Sequence, residues 1–438
     1  MELIIKPGMP LQGSLILPGD KSLSHRAALF AALADGQSVI DNFLVAGVTQ
    51  VMLGAISAVG VSWELRGSRL IIQGTGLSGL RPPLAPIQCG SSATTIRLLA
   101  GALAASGIPA VLDGSPGLRR RPMKRIVQPL HRMGVPIQAS DGGFAPLRLA
   151  ARLSSQFLHA LDYTLPVASA QVKTCLLLAA LAADGPCTLT EPEISRDHSE
   201  RMLAAMGVDI QVRCTRVTLN PPGSNRLKPL HLVLPGDISS AAFLIVAALI
   251  TPGSQITLRD VLLNPTRTGL LDALKAMGAN IQIDVRSDLG GEPAGDVSAR
   301  FSILNGIEID GTLAVRMIDE FPVFAIAAAF ARGQTVVRGA AELRHKESDR
   351  ILALCAELRQ LGIDLDETSD GFRILGGKPV RGGTARAHGD HRLAMALAVA
   401  GLASETLVSI QDAEIVAESF PGFVDTLRTL GANLRQES

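Results

Sequence analysis

Wholly apolar, helix-length runs recur six times along the chain, each followed by a turn and then a stretch of alternating polar and apolar positions. They read HRAALFAALADGQSVI, IRLLAGALAASGIPAVL, TCLLLAALAADGPCTL, AAFLIVAALITPGSQITL, VFAIAAAFARGQTVV and LAMALAVAGLASETLVSI. Apolar residues on every face predict a helix enclosed on all sides, and the alternation behind each predicts a half-buried strand. Gly36, Gly107, Gly185, Gly253 and Gly333 occupy the turn in five copies, and Ser404-Glu405 in the sixth.

A second pattern interleaves with the first: ISAVGVSWEL, LHRMGVPIQA, LAAMGVDIQV, LKAMGANIQI, LRQLGIDLDE and LRTLGANLRQ. Each predicts an amphipathic helix facing water, a glycine just past its end, and a short strand. The glycines are Gly60, Gly134, Gly207, Gly278, Gly362 and Gly431, spaced by 74, 73, 71, 84 and 69 residues. Glycine at that position suits the left-handed conformation that closes a helix. Six α/β repeats follow. Leu-Pro-Gly-Asp stands at Leu17–Asp20 and again 217 residues later at Leu234–Asp237, each time before an apolar run. This predicts two halves of three repeats: 20–235, and 237–438 joined by residues 1–18. Hinge crossovers near Gly19 and Gly236 would let the halves close.

Composition narrows the function. Of the 438 residues 47% are apolar, 18% charged and 3% aromatic, with a net charge of +1. So few aromatics argue against a base-stacking nucleic-acid surface, and the charge gives no long-range pull toward a polyanion. No apolar stretch reaches the roughly 18 to 20 residues of a membrane span. The start MELIIKPGMP lacks a signal-peptide pattern. Cys89, Cys175, Cys187, Cys214 and Cys355 are odd in number, widely spaced and mostly within apolar segments, as reduced core thiols would be. These features predict a cytoplasmic protein with a small-molecule partner, no nucleic acid and no membrane.

The starts of the six apolar helices carry the candidate chemistry: GDKSLSHR, CGSSATTIR, VASAQVK, GDISSAA, RMIDEFP and HGDHRLAM. Capping explains Asp237, Ser239, Ser240 and Thr94. It does not explain Lys21, Arg26, Arg97, Lys173 and Arg392, because cations are unfavourable beside the positive end of a helix. They suit a site for a ligand with several anionic groups, held by helix N–H groups and side-chain charge together. LRRRPMKR (Leu118 to Arg125) and HKESDR (His345 to Arg350) add charge, the latter at an expected helix start. Asp319, a carboxylate heading a buried helix, is placed as a general base would be.

GDKSLSHR, TTIRLLAG, LRRRPM, SAQVK, SRDH, KESDR and GDHR, in that order and essentially end to end, resemble the 5-enolpyruvylshikimate-3-phosphate synthase family of enolpyruvyl transferases. The resemblance implies a two-domain inside-out α/β barrel of six βαβαββ repeats. It implies transfer of enolpyruvyl from phosphoenolpyruvate to the 5-hydroxyl of shikimate 3-phosphate through a tetrahedral intermediate, with neither metal nor cofactor. Lys21, Ser22 and Arg26 would contact shikimate 3-phosphate, Lys21 being shared with phosphoenolpyruvate. Ser169, Ala170 and Gln171, with Ser195 or Arg196, would hold the ring and its phosphate. Gln171 and Ala93 would also border phosphoenolpyruvate, whose phosphate and carboxylate Arg121, Arg350 and Arg392 would clamp. Asp319 and Lys346 would flank the 5-hydroxyl, Asp319 as base; Glu347 or Lys21 would protonate the methylene carbon.

Two departures stand out. The family usually has Asn-Ala/Ser-Gly-Thr where this chain has Ser91, Ser92, Ala93 and Thr94. A methyl in place of the glycine predicts tolerance of glyphosate, which occupies the phosphoenolpyruvate site and is longer. Glu418 stands where some members place a substrate-binding lysine, and is expected to turn outward. A sister enzyme acting on a UDP-amino sugar relies on a loop cysteine, and Ser115 to Arg125 contains none. A non-catalytic relative would not need Lys21, Asp319, Lys346, Glu347 and three clamp arginines. A monomer is expected, since each half buries what the other needs.

Overall fold

The six apolar runs are helices in the computed structural model, which describes residues 1–153, 156–223 and 226–437. In chain order the helices are α1 (Lys21–Leu33), α2 (Gly47–Ala58), α3 (Ala93–Ser106), α4 (Lys124–Arg132), α5 (Ala170–Ala180), α6 (His198–Ala205), α7 (Ile238–Ile250), α8 (Gly269–Ala276), α9 (Gly311–Arg316), α10 (Phe321–Phe330), α11 (Arg350–Gln360), α12 (His391–Leu402) and α13 (Phe423–Thr429). The apolar runs are α1, α3, α5, α7, α10 and α12. Every residue of α7 and α12 is buried. Each enclosed Leu or Ile there contributes about 1.5–3 kcal/mol relative to exposure. All six glycines of the second pattern have positive φ, from 82° to 104°.

Among the described residues, six four-stranded sheets accompany the helices. In one, His231–Val233 lies parallel to Asp35–Asp41, which pairs antiparallel with Arg69–Thr75, itself antiparallel to Ser62–Arg66. The same order, a parallel edge strand followed by antiparallel neighbours, recurs around Cys187–Thr190, Gly333–Val337 and Val408–Gln411. Two sheets take a strand from the chain's start. Gln12–Ile16 runs parallel to Gln255–Leu262, and Glu2–Lys6 lies between Val408–Gln411 and Asn433–Glu437.

The chain divides into two compact units. One, containing α1–α6, is Gly19–Leu234 with Leu289–Glu292; the other, containing α7–α13, is Met1–Pro18, Pro235–Asp288 and the chain from Pro293 onward. The crossings at 18/19 and 234/235 fall at the two Leu-Pro-Gly-Asp copies. A further excursion was not legible in the sequence. The strands Asn280–Leu289 and Glu292–Arg300 are 10 and 9 residues long, and the tip between them belongs to the α1–α6 unit. This long hairpin falls within the widest glycine spacing. Glu292 there is buried, with Oε1 2.7 Å from His198 Nδ1.

Cys89, Cys175, Cys187 and Cys355 are buried. Burial pushes the thiols of Cys89, Cys175 and Cys355 up to about 12, so they are poor nucleophiles at neutral pH. Cys214 departs from the expected core placement and is exposed at a turn, with φ of 51°. Among the described residues, no helix is long and apolar enough to cross a membrane.

Candidate functional site

In the α1–α6 unit, the starts of α1, α3 and α5 are tied together. Gly101 makes the approach of α3 to α5 feasible: a Cβ there would sit 2.1 Å from the Cys175 carbonyl oxygen. Asp20 caps α1 through the Leu23 N–H, Ser92 caps α3 through Thr95, and Ser169 caps α5 through Val172. Gln171 donates to Thr94 Oγ1 at 2.9 Å and accepts from Arg97 NH1 at 2.5 Å. His25 is buried; its Nδ1 lies 2.8 Å from the Lys21 carbonyl and its Nε2 3.3 Å from Ser92 Oγ. Burial first, and then the neighbouring charges of Lys21 and Arg26, lower its pKa to about 4. The neutral ring therefore donates from Nδ1 to Lys21 and accepts at Nε2 from Ser92.

Arg26 is 2% exposed. Its Nε donates to Ser199 Oγ, NH1 to the Ser22 carbonyl and NH2 to Thr174 Oγ1, at 2.8, 3.0 and 3.1 Å. Arg196 NH1 donates to Ser22 Oγ at 3.2 Å. Ser22, Arg26, Arg196, Gln171 and Ala93, on three helix starts and one loop, are thus interlinked or adjacent in sequence to linked residues. Ala93 is the first residue of α3, buried beside the exposed Ser91. Of the basic run Arg119 to Arg125, Arg121 turns inward and is buried, while Arg120 and Lys124 are exposed. Arg119 pairs with Asp113 at 2.5 Å.

Two of the cations attributed to anion binding have other work. Arg97 is engaged by Gln171 and by the Pro122 carbonyl. Lys173, 1% exposed, has Nζ 2.7 Å from a carboxylate oxygen of both Glu191 and Glu200. The contact is aligned as a hydrogen bond to Glu191; that to Glu200 is a charge contact. Burial alone would push the Lys173 ammonium down, but Glu200 and Glu191 together hold it above the ordinary lysine value. Burial raises the Glu200 carboxyl.

In the α7–α13 unit, carboxylates and cations meet at the starts of α10, α11 and α12. Asp319 directly precedes the Glu320 cap position of α10. Asp319 Oδ1 accepts from Lys346 Nζ at 3.0 Å and from Arg350 NH1 at 3.4 Å. Arg392 NH1 donates to the Asp319 carbonyl at 3.0 Å. Arg350, 2% exposed, donates Nε to Asp390 Oδ2 at 2.7 Å and NH2 to Glu347 Oε2 at 2.5 Å. Burial works to raise the Asp390 carboxyl; Arg350 overrides it and holds the group below the usual carboxylate range. The same three carboxylates, Asp390, Glu347 and Asp319, outweigh the burial of Arg350 and raise its pKa. HKESDR is a helix start only from Asp349, which caps α11 through Leu352; Lys346 and Glu347 lie in the preceding bend. Glu418 ends a 3-10 turn, Ala413–Glu418, and is half-buried.

The structure thus brings Asp319, Lys346, Glu347, Arg350 and Arg392 together in one unit. Lys21, Ser22, Arg26, Ala93, Arg121, Ser169, Ala170, Gln171, Ser195 and Arg196 belong to the other. Residues that sequence reasoning did not single out include His25, Glu191, Glu200 and Asp390. Asp390 had a signal, since it repeats the Gly-Asp that precedes α1 and α7. Glu191 had none, being an acid outside every motif quoted above.

A family model described as EPSP synthase (3-phosphoshikimate 1-carboxyvinyltransferase) matches residues 5–427. A 3-phosphoshikimate 1-carboxyvinyltransferase of Xanthomonas euvesicatoria pv. vesicatoria is 49% identical over 425 residues, covering 97% of this chain and 95% of the relative. That of Xanthomonas campestris pv. campestris (strain B100) is 48% identical over 432 residues, covering 98% and 97%. An EPSP synthase structure from Acinetobacter baumannii superposes with a TM-score of 0.88 at 39% identity, covering 100% of both chains. The enolpyruvyl transferase NikO from Streptomyces tendae, at 21% identity and a TM-score of 0.79, shares the fold over 99% of this chain and 98% of its own. With motifs, repeats and these matches in agreement over nearly the whole length, the chain belongs to the EPSP synthase (3-phosphoshikimate 1-carboxyvinyltransferase) family.

Proposed function

We propose that this enzyme transfers the enolpyruvyl group of phosphoenolpyruvate to the 5-hydroxyl of shikimate 3-phosphate and releases phosphate. The observation that carries the reading is Asp319: a carboxylate at the head of a buried helix, with Lys346 and Arg350 both on Oδ1. Those donors fix the carboxylate's direction, and Oδ2 is the atom assigned to take the hydroxyl proton. The hydroxyl oxygen bonds to the central carbon of phosphoenolpyruvate while Glu347 or Lys21 protonates its methylene carbon, giving a tetrahedral intermediate. Loss of a methyl proton and cleavage of the carbon–oxygen bond to phosphate then regenerate the enol ether. Arginine suits the clamp role of Arg121, Arg350 and Arg392 because its planar fork binds oxyanions in bidentate fashion, and fixed cations stabilise charge that develops during addition.

The ligands of shikimate 3-phosphate are assigned to Lys21, Ser22, Arg26, Ser169, Ala170, Gln171, Ser195, Arg196, Asp319 and Lys346. Those of phosphoenolpyruvate are assigned to Lys21, Ala93, Arg121, Gln171, Arg350 and Arg392. In support, Lys21, Ser22, Ser169, Ala170 and Gln171 stand at the starts of α1 and α5, where helix N–H groups favour anions. We further propose a cytoplasmic monomer, which sedimentation of the purified chain tests. The activity itself is tested by phosphate release with both substrates present. Release that requires both supports the reading; release with phosphoenolpyruvate alone, or none, overturns it.

A further inference from the structure

α5 has three polar residues, Gln171, Lys173 and Thr174, of which only Lys173 is charged. Val172, Cys175, Leu176 and Leu177 are buried hydrophobes, and Lys173 among them is a fully withdrawn cation. Burying an ammonium and two carboxylates is at best an even exchange against apolar packing of the same volume, so the cluster is weak evidence for stability. What it does provide is direction. Lys173 lies one turn beyond Ser169 and its N–H bonds the Ser169 carbonyl at 3.0 Å. Its ammonium binds Glu191, the residue after the strand Cys187–Thr190. Glu191 Oε1 accepts a hydrogen bond from the Ser195 hydroxyl, and Oε2 accepts one from the Ser195 backbone N–H at 3.4 Å. Pro192 and Ile194 are exposed, yet Ser195 is buried, so the loop turns inward where Glu191 holds it. Arg196 follows, and its guanidinium reaches Ser22 at the start of α1.

We propose that Lys173 and Glu191 are positioning residues for the phosphate end of shikimate 3-phosphate: they hold Ser195 and Arg196 in register with Ser169 and Ser22 without touching the ligand. The proposal rests on the assignment of Ser195 and Arg196 to that ligand made above. Its physical basis is that a guanidinium on a loop binds a phosphate well only when its geometry is set beforehand, and Arg196 follows directly on the Ser195 that Glu191 fixes. An apolar residue at position 173 would fill the space but leave Glu191 with no cation, only the Ser195 donors, and a buried carboxylate without a counter-charge reorganises its surroundings.

The test is equilibrium binding, by calorimetry, of shikimate 3-phosphate and of shikimate, which has the same ring and no phosphate. Lys173→Met is expected to weaken shikimate 3-phosphate binding about tenfold or more while shikimate stays within about twofold. Lys173→Arg, which keeps the cation, should recover most of the loss. Glu191→Gln keeps the shape and loses the charge, and carries the same comparison should Lys173→Met fail to fold; a selective loss of about threefold or more is expected. Equal weakening of both ligands, or of neither, would overturn the proposal, since a merely structural role does not distinguish them. Arg196→Gln in the parent separates the two levels, because it removes a residue assigned to the ligand and leaves the Lys173–Glu191–Ser195 links in place. If it leaves shikimate 3-phosphate binding unchanged, the placement of the ligand is wrong. If it weakens binding selectively and neither Lys173→Met nor Glu191→Gln does, the placement stands and the positioning role falls.

Discussion

The two units share one scaffold and use charge in opposite ways. Near the starts of α1 and α3, Arg26 donates to two hydroxyls and a carbonyl, and Arg97 to an amide and a carbonyl. In the α7–α13 unit the arginines meet carboxylates. Arg350 bonds Asp390, Glu347 and Asp319; Arg392 lies 3.7 Å from Glu320; Arg267 lies 3.6 Å from Asp237. Neutral partners orient a guanidinium without cancelling its charge, which suits holding a dianion. Carboxylate partners cancel charge but bring acids and bases within reach of one another, which suits proton transfer. Carboxylate partners occur in the α1–α6 unit too, for Arg119 beside Asp113, Arg201 beside Asp197 and Lys173 beside Glu191 and Glu200; of these Lys173 sits one turn beyond Ser169.

The largest effect expected of this contrast is on catalysis. Asp319→Asn keeps the shape and removes the base, and should lower kcat by about 10² to 10⁴, with shikimate 3-phosphate binding largely retained. Turnover within about threefold of the parent would move the base elsewhere, Glu347 first. Stability should distinguish the units next. Arg350→Met leaves three carboxylates without their shared cation and is expected to cost about 3–5 kcal/mol. Arg26→Met leaves neutral acceptors and should cost about 1–3 kcal/mol. Urea midpoints of the two variants check the order; equal losses would mean that partner charge is not what separates the units.

Acid sharpens the comparison further. Burial lowers the pKa of folded His25 to about 4, whereas an unfolded histidine takes up its proton near the ordinary value of 6.5. Stability is therefore unaffected above pH 6.5 and falls as pH drops from 6.5 toward 4, by up to about 3 kcal/mol. Asp390 has a depressed pKa, so its contribution is present above the ordinary carboxylate range and is lost only below it. Early acid sensitivity thus belongs to the α1–α6 unit. Thermal melts of the parent and His25→Gln between pH 7 and 4.5 should converge as pH falls; parallel curves would remove His25 as the cause. The smallest effect concerns Ala93. Overpacking a tight site costs about 1–3 kcal/mol, so Ala93→Gly should strengthen glyphosate inhibition by roughly one to two orders of magnitude, with the KM for phosphoenolpyruvate similar or lower. Unchanged inhibition would show that the methyl is not the discriminating group.

Much of this was legible in the residues alone. Helices apolar on every face must be enclosed whatever surrounds them, so α7 and α12 announced their burial through composition. A glycine recurring just past amphipathic runs announced six helix ends, because the left-handed conformation disfavours a side chain. The candidate residues were legible too, since Lys21, Asp319 and Arg350 lie in contiguous motifs with few other readings. Three things depended on the tertiary structure. Lys173 read as an anion ligand because a cation near a helix start has no local explanation; its explanation is Glu191 and Glu200, 18 and 27 residues on. The hairpin tip 289–292 read as part of its own half, because strand length says nothing about which unit the turn joins. Charge pairing is the third: Arg26 and Arg350 are the same residue type at the starts of buried or partly buried helices, and only their neighbours in space differ. Periodicity and capping act over a few residues and are written locally, whereas the partner of a buried charge is chosen by the fold, across any distance in the chain.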